Sequence, residues 1–171
     1  MELAERKTNR LGEYDYSANG AYFITICTQD RKKILSKIFV GTGVLDCPQI
    51  QLLNHGLIAE KYIRQLNDFY SHISVDQYVI MPDHIHMLLS VRDGQSRTPA
   101  PTGEKRIDNA NSVMSQFVST FKRFCNKEYG ENIWQSRFYD HVIRNQQDYD
   151  EIWEYIENNP CKWAIQKQGH W

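Results

Sequence analysis

The stretch Val79-Ile80-Met81-Pro82-Asp83-His84-Ile85-His86-Met87-Leu88-Leu89 decides the fold, and the rest of the chain can be placed around it. It is an apolar run broken by a Pro-Asp turn and resumed by a His-Ile-His triplet. Residues 73 to 80 and 84 to 90 both read as strands, and Pro82-Asp83 joins them as a hairpin. Side chains alternate along a strand, so His84 and His86 project to one face while Ile85 and Met87 project to the other. Leu88, Leu89 and Val91 make the return strand a buried one, which would hold the imidazoles rigidly side by side. A single half-buried histidine is more often a satisfied structural residue. Two at strand spacing bring several ring nitrogens that an apolar sheet does not need, and they point to a metal ion.

Towards the N-terminus, Tyr22-Phe23-Ile24-Thr25-Ile26-Cys27-Thr28 is dense in β-branched and aromatic residues and predicts another strand. It follows the turn signal Asn19-Gly20 and a polar arm with Arg6, Lys7, Arg10, Tyr14 and Tyr16. The basic run Arg31-Lys32-Lys33 fits a solvated loop and a phosphate contact equally well. After a Gly41-Thr42-Gly43 turn, residues 49 to 53 suggest a short strand. Asn54 then has the chemistry of a helix N-cap before the stripe Leu57, Ile58, Tyr62, Leu66 and Phe69.

Beyond the histidines, residues 92 to 109 carry Gly94, Ser96, Pro99, Pro101 and Gly103 with almost no apolar content, the composition of a flexible loop. Val113, Met114, Phe117, Val118, Phe121, Phe124 and Cys125 recur at helical spacing. Trp134 to Arg144 predicts the last strand. Asn145 or Asp148 caps a final helix that Pro160 should stop after Asn159. The order suits an α+β, ferredoxin-like antiparallel sheet with helices packed on one face.

A length of 171 residues predicts one domain over 1–171, and 41% hydrophobic with 24% charged residues is ordinary for a globular protein. No apolar run approaches membrane-spanning length and the first ten residues lack a signal-peptide core, so a cytoplasmic protein without membrane contact is expected. Cys27, Cys47, Cys125 and Cys161 have no C-x-x-C spacing and read as reduced structural thiols. The net charge of -1 gives no general pull on polyanions. Between Arg97 and Arg144 the chain is nevertheless locally basic. Lys122, Arg123, Arg137 and Arg144 are therefore candidates for DNA phosphate contacts.

Two imidazoles under-coordinate a divalent ion, so a third ligand should come from an element packed near the strand. The last helix offers one. Tyr149, Ile152, Trp153 and Ile156 form its buried stripe, while Tyr155 and Asn159, four apart, share an edge. Each alone has a bland reading, a boundary tyrosine and a polar C-terminal residue. Together they place a phenol and an amide oxygen at one point. A cation that holds and polarises a phosphate beside a phenol sets up nucleophilic attack by tyrosine.

At this point three blocks carry a resemblance. The triplet His84-Ile85-His86 resembles the histidine-hydrophobic-histidine (HUH) motif of single-tyrosine transposases. Met81-Pro82-Asp83-His84-Ile85-His86, Trp134-Gln135-Ser136-Arg137-Phe138-Tyr139-Asp140-His141-Val142-Ile143-Arg144-Asn145 and Tyr155-Ile156-Glu157-Asn158-Asn159-Pro160, in that order, are similar to the REP-associated tyrosine transposases. The resemblance implies an HUH endonuclease fold with His84, His86 and Asn159 as metal ligands and Tyr155 as nucleophile. Glutamine often stands at the last ligand position in insertion-sequence relatives, so the shorter Asn159 is a departure shared with the REP-associated branch. It further implies a metal-dependent single-stranded DNA endonuclease and strand transferase, cutting near hairpins through a 5′-phosphotyrosine, with magnesium or manganese as the working ion. Relatives complete such a site within one chain or across a homodimer, and both arrangements stay open.

Two other readings stand beside it. A cupin-like metal enzyme also uses a strand His-x-His, but it needs a downstream glutamate and a further histidine on successive strands, and the next histidine, His141, is distant. A ferredoxin-like sheet can also bind nucleic acid without catalysis, as a stacking platform. Metal dependence and a covalent DNA adduct separate that reading from the transposase.

Overall fold

A computed structural model describes residues 19–40, 48–92 and 113–168, with side chains to residue 165. The polar arm, the Gly41-Thr42-Gly43 turn and nearly all of the 92-to-109 loop lie outside the described residues. Four antiparallel strands form the main sheet: β1 (Gly20–Cys27), β4 (Ile73–Ile80), β5 (His84–Val91) and β6 (Tyr139–Ile143), in the order β4-β5-β1-β6. Counting only these four, the order is 2-3-1-4, the ferredoxin-like arrangement expected of the sequence. A separate hairpin of β2 (Ser36–Phe39) and β3 (Gln49–Leu52) follows β1. The helices are α1 (Asn54–Phe69), α2 (Val113–Tyr129) and α3 (Gln146–Gln168).

The strand alternation sorts residues into two cores. Tyr22, Ile24, Ile26, Ile85, Met87 and Leu89 face α1 and α2, whose buried residues include Ile63, Leu66, Phe117 and Phe121. Phe23 and Leu88 face the other way, towards Ile156 and the partly buried Tyr149, Ile152 and Trp153 of α3. Only α1 and α2 thus share the face predicted for the helices, and α3 covers the opposite one. The reason is visible in β5, where Leu88 and Leu89 are consecutive and both 0% exposed, so each face of the strand needs a cover.

Three predicted boundaries move. The N-cap position of α1 is Leu53, with no side-chain cap, because Leu53 N–H already donates to Leu35 O at 2.9 Å and its own carbonyl receives Leu57 N–H at 2.9 Å. Asn54 is therefore the first residue inside the helix. The last strand is limited to β6, and Trp134 keeps only an isolated bridge to Thr28. Between them the carbonyls of Gln135, Ser136 and Arg137 accept from Lys122 Nζ at 2.8, 3.3 and 3.2 Å, which takes them out of any ladder.

The third correction matters most for function. Pro160 does not end α3, which runs on to Gln168. Proline lacks the N–H that would bond the carbonyl of Ile156, a defect that usually kinks or stops a helix. Packing overrides it here: Ile156 is 1% exposed, Ala164 6%, and Trp163 packs against the second core. At the other end the cap is Asn145, whose Oδ1 accepts Asp148 N–H at 2.9 Å. No helix among the described residues is long and apolar enough to cross a membrane.

Candidate active site

β5 carries both histidines on the α3 side of the sheet, and the ladder with β1 sets their neighbours: Thr25 lies opposite His86, and Cys27 opposite His84. Each ring is anchored through Nδ1. His84 Nδ1 stands 2.6 Å from Asp83 Oδ1, and His86 Nδ1 stands 2.8 Å from Thr25 Oγ1. A carboxylate only accepts, so His84 carries its proton on Nδ1 and presents a bare Nε2. The two Nε2 atoms face each other at 3.0 Å. His84 is 7% exposed and His86 5%. Burial lowers both imidazoles from their usual range. For His84 it outweighs the opposing pull of Asp83, and for His86, helped by the charges of His84 and Arg31, it brings the value down to about 3. Both rings are neutral near pH 7, the state in which imidazole binds metal.

α3 lies over this pair. Tyr155, Asn159, Lys162 and Trp163 occupy positions i, i+4, i+7 and i+8, one face of a helix. The Tyr155 ring stands 5.3 Å from the His86 ring and 5.8 Å, edge-on, from Phe23. Trp163 lies 5.9 Å from His84. These side chains enclose a cavity of about 300 Å³ with His84, His86, Thr25 and Arg31 in its wall. The structure thus gathers all four predicted residues, His84, His86, Tyr155 and Asn159, within one chain.

The residues fit a divalent ion. Two nitrogen ligands at right angles on an octahedral ion, with bonds of about 2.1 Å, stand about 3.0 Å apart, which is the separation of the two Nε2 atoms. Asn159 is 7% exposed, and its amide has no hydrogen-bond partner among the described residues. It lines the same cavity as the two imidazoles, where an amide oxygen can serve a hard cation. Among the described residues no three His, Cys, Asp or Glu gather where an ion could sit.

Other tyrosines are placed differently. Tyr149 donates its hydroxyl to Asp76 at 3.0 Å, and burial with that carboxylate pushes its phenol up to about 12. It ties α3 to β4. Tyr139 pairs with Thr25 across the sheet but is 48% exposed and does not line the cavity. The basic candidates also lie elsewhere. Lys122 holds the 135–137 carbonyls. Arg123 is exposed, with its guanidinium 5.5 Å over Phe124. Arg137 borders a second cavity of about 790 Å³ with Gln29, Asp30 and Trp134. Arg144, exposed, precedes the α3 cap.

Four site residues escaped the sequence reading: Thr25, Asp83, Lys162 and Trp163. The period of two in Phe23-Ile24-Thr25, once paired with β5, was the signal for Thr25. Ending α3 at Pro160 hid the last two.

No protein-family profile matches the chain. It is 27% identical over 153 residues to a REP-associated tyrosine transposase of Escherichia coli strain K12, covering 90% of this chain and 73% of that protein. It is 24% identical over 148 residues to a protein of Haemophilus influenzae described as a putative REP-associated tyrosine transposase, covering 86% and 74%. Among solved structures, that of a REP-associated tyrosine transposase bound to a REP hairpin superposes with a TM-score of 0.57 at 21% identity, over 94% of this chain and 74% of the other. Along nearly its whole length the chain is thus similar in sequence to REP-associated tyrosine transposases, and it shares the α+β fold of the solved one.

Proposed function

We propose that this transposase-like protein cuts and rejoins single-stranded DNA next to hairpins, with Tyr155 as nucleophile. The observation that carries the reading is the convergence of Tyr155, His84, His86 and Asn159 on one cavity, with the phenol, both imidazoles and the amide supplied by a single chain. His84, His86 and Asn159 would hold a magnesium or manganese ion, which when bound polarises a phosphate oxygen and neutralises charge developing on phosphorus. The chain's own residues supply the rest. Thr25 and Asp83 orient the histidines. Phe23 and the His86 ring hold the phenol from two sides. Such fixed placement is worth several kcal/mol of a barrier when the attacking atom lies in line.

In the first step the phenol oxygen bonds to phosphorus and its proton passes to solvent. The 3′-oxygen leaves and takes up a proton, giving a 5′-phosphotyrosine and a free 3′-hydroxyl. Attack by a 3′-hydroxyl reverses the step and joins strands. Along the DNA, Arg123, Arg137 and Arg144 are proposed phosphate contacts, and Lys122 brings its charge to the same loop as Arg137.

The test is a single-stranded hairpin oligonucleotide incubated with protein and manganese, resolved on a denaturing gel. A covalent complex is expected with the wild type and none with Tyr155→Phe, which removes only the hydroxyl. Tyr149→Phe should keep the complex. A nucleotide found by mass spectrometry on any other tyrosine, or full cleavage by Tyr155→Phe, would overturn the assignment. DNA binding without any metal-dependent adduct would return the chain to the non-catalytic binding module.

A further inference from the structure

Two cations line the cavity that neither the metal set nor the nucleophile uses: Arg31, from the loop after β1, and Lys162, from the part of α3 beyond Pro160. We infer that Arg31 and Lys162 form a phosphate clamp that grips the backbone of a single strand at the site without any metal. This rests on the reading above that the cavity takes DNA, and it names the residues that give the cavity its own affinity for a phosphodiester.

Arg31 is positioned at a cost. Asp30 and Arg31 have φ of 54° and 55°, two successive non-glycine residues in the left-handed region. Such backbone is uncommon, costs about 1–3 kcal/mol per residue, and persists where surrounding contacts impose it. Those contacts are present. Arg31 N–H donates to Thr28 O at 3.2 Å, Thr28 Oγ1 donates to Lys32 O at 2.8 Å, and Thr28 N–H donates to Asp83 O at 3.0 Å. The guanidinium donates through NH1 to Cys27 Sγ at 2.9 Å and has Nε 3.6 Å from Asp83 Oδ2. Asp83 is the carboxylate that orients His84, so the same group fixes a ligand ring and one arm of the clamp. A guanidinium has five N–H donors, and half of this side chain remains open, at 52% exposure.

Lys162 completes the arrangement. Its Nζ stands 5.0 Å over the Tyr155 ring, and it has no carboxylate partner among the described residues. Lys33, whose Nζ stands 5.9 Å from the Trp163 ring, adds charge beside them. Of the acidic residues of α3, Asp150, Glu151, Glu154 and Glu157 are exposed, Asp148 pairs with His141, and none lines the cavity. The positive charge is therefore concentrated where a phosphate would have to sit for Tyr155 to reach it. An ammonium beside the phenol and a guanidinium across the cavity would fix a phosphate from two sides, as charge-assisted hydrogen bonds do elsewhere.

The experiment measures binding of a short single-stranded oligonucleotide by fluorescence anisotropy in EDTA, across a salt series. The proteins are the wild type, Arg31→Gln, Lys162→Met, the double variant, and Arg64→Gln as a control, since Arg64 is on α1 across the sheet. Each phosphate contact on a single strand contributes about 0.7 to the slope of log affinity against log salt. The slope should fall by about 0.7 in each single variant and about 1.4 in the double, with about tenfold weaker binding per contact at low salt. It should stay unchanged in Arg64→Gln. Circular dichroism confirms folding, and Arg31→Lys, which keeps the charge, should recover the slope. An unchanged slope in both single variants overturns the clamp, as does an equal fall in the Arg64 control. The covalent adduct is scored separately: an adduct on Tyr155 with unchanged slopes removes the clamp alone, whereas the predicted slopes without an adduct remove the nuclease alone.

Discussion

Replacing Thr25 by valine should weaken metal binding without unfolding the protein, although Thr25 is not a ligand. Thr25 Oγ1 stands 2.8 Å from His86 Nδ1. When an ion takes His86 Nε2, the ring proton must sit on Nδ1, where the Thr25 hydroxyl accepts it. Valine keeps the shape and removes the acceptor. A buried Nδ1–H left alone would cost about 1–3 kcal/mol. The neutral ring avoids this by moving its proton to Nε2, from where it donates to His84 Nε2. That tautomer occupies both ligand nitrogens with one hydrogen bond, and an ion must break it to bind. Loss of such an orienting partner typically costs 10- to 100-fold in metal affinity, about 1.4–2.7 kcal/mol. Manganese titration calorimetry of the wild type, Thr25→Val and Thr25→Ser reads this directly. The serine variant retains the hydroxyl and should bind near the wild-type level. Wild-type affinity in Thr25→Val would refute the tautomer argument.

Two further outcomes follow from buried groups near the same loop. The metal-free protein should lose stability as pH falls from about 6.5 towards 3. His86, brought down to about 3 in the fold, stays neutral while the unfolded imidazole takes up a proton, and His84 shifts in the same direction. The unfolded state then binds more protons, so this stability is fully present above about pH 6.5 and declines by about 1.4 kcal/mol per pH unit for His86 as pH falls. Urea titrations at pH 7, 6 and 5 should show a shallower decline in His86→Ala, and equal slopes would contradict the assignment. Gly56→Ala should destabilise by about 1–3 kcal/mol through overpacking, because its Cβ would lie 2.1 Å from Leu35 O. That carbonyl holds Leu53 N–H and Leu35 N–H holds Pro82 O, so the strain reaches the hairpin before His84. A midpoint in urea equal to the wild type would show that Leu35 gives way freely.

The sheet was legible because its signals were local and repeated. Tyr22 to Thr28, Ile73 to Ile80 and the return from His84 each carry the alternation or apolar density of a strand, and a Pro-Asp turn leaves little choice of partner for the last two. What was not legible depended on distant groups. Trp134 to Arg144 has strand composition throughout, yet the carbonyls of residues 135–137 are claimed by Lys122 on α2, and no local pattern announces that. The face that α3 covers is a similar case. A sheet with Leu88 and Leu89 adjacent has apolar residues on both sides, and which helix takes which side is settled only when α1 and α2 have filled one of them.

The site divides along the same line. His84 and His86 share a face by strand period alone, and Tyr155 and Asn159 share one by helix period alone, so each pair could be found before any fold was known. Their meeting is a tertiary fact, produced by α3 crossing the face of β5 that carries Leu88 and the histidines. The treatment of Pro160 shows where local rules stop. By intrinsic propensity a proline costs about 3 kcal/mol inside a helix, but Ile156 before it and Ala164 after it are both buried. Burying a large aliphatic side chain is worth about 1.5–3 kcal/mol, so the contacts flanking the proline match the penalty in scale and the helix continues. That continuation brings Lys162 and Trp163 to the cavity, two and three positions past Pro160 and about one helical turn beyond Asn159. A break at Pro160 would have left His84, His86, Tyr155 and Asn159 in place and removed the cation beside the phenol.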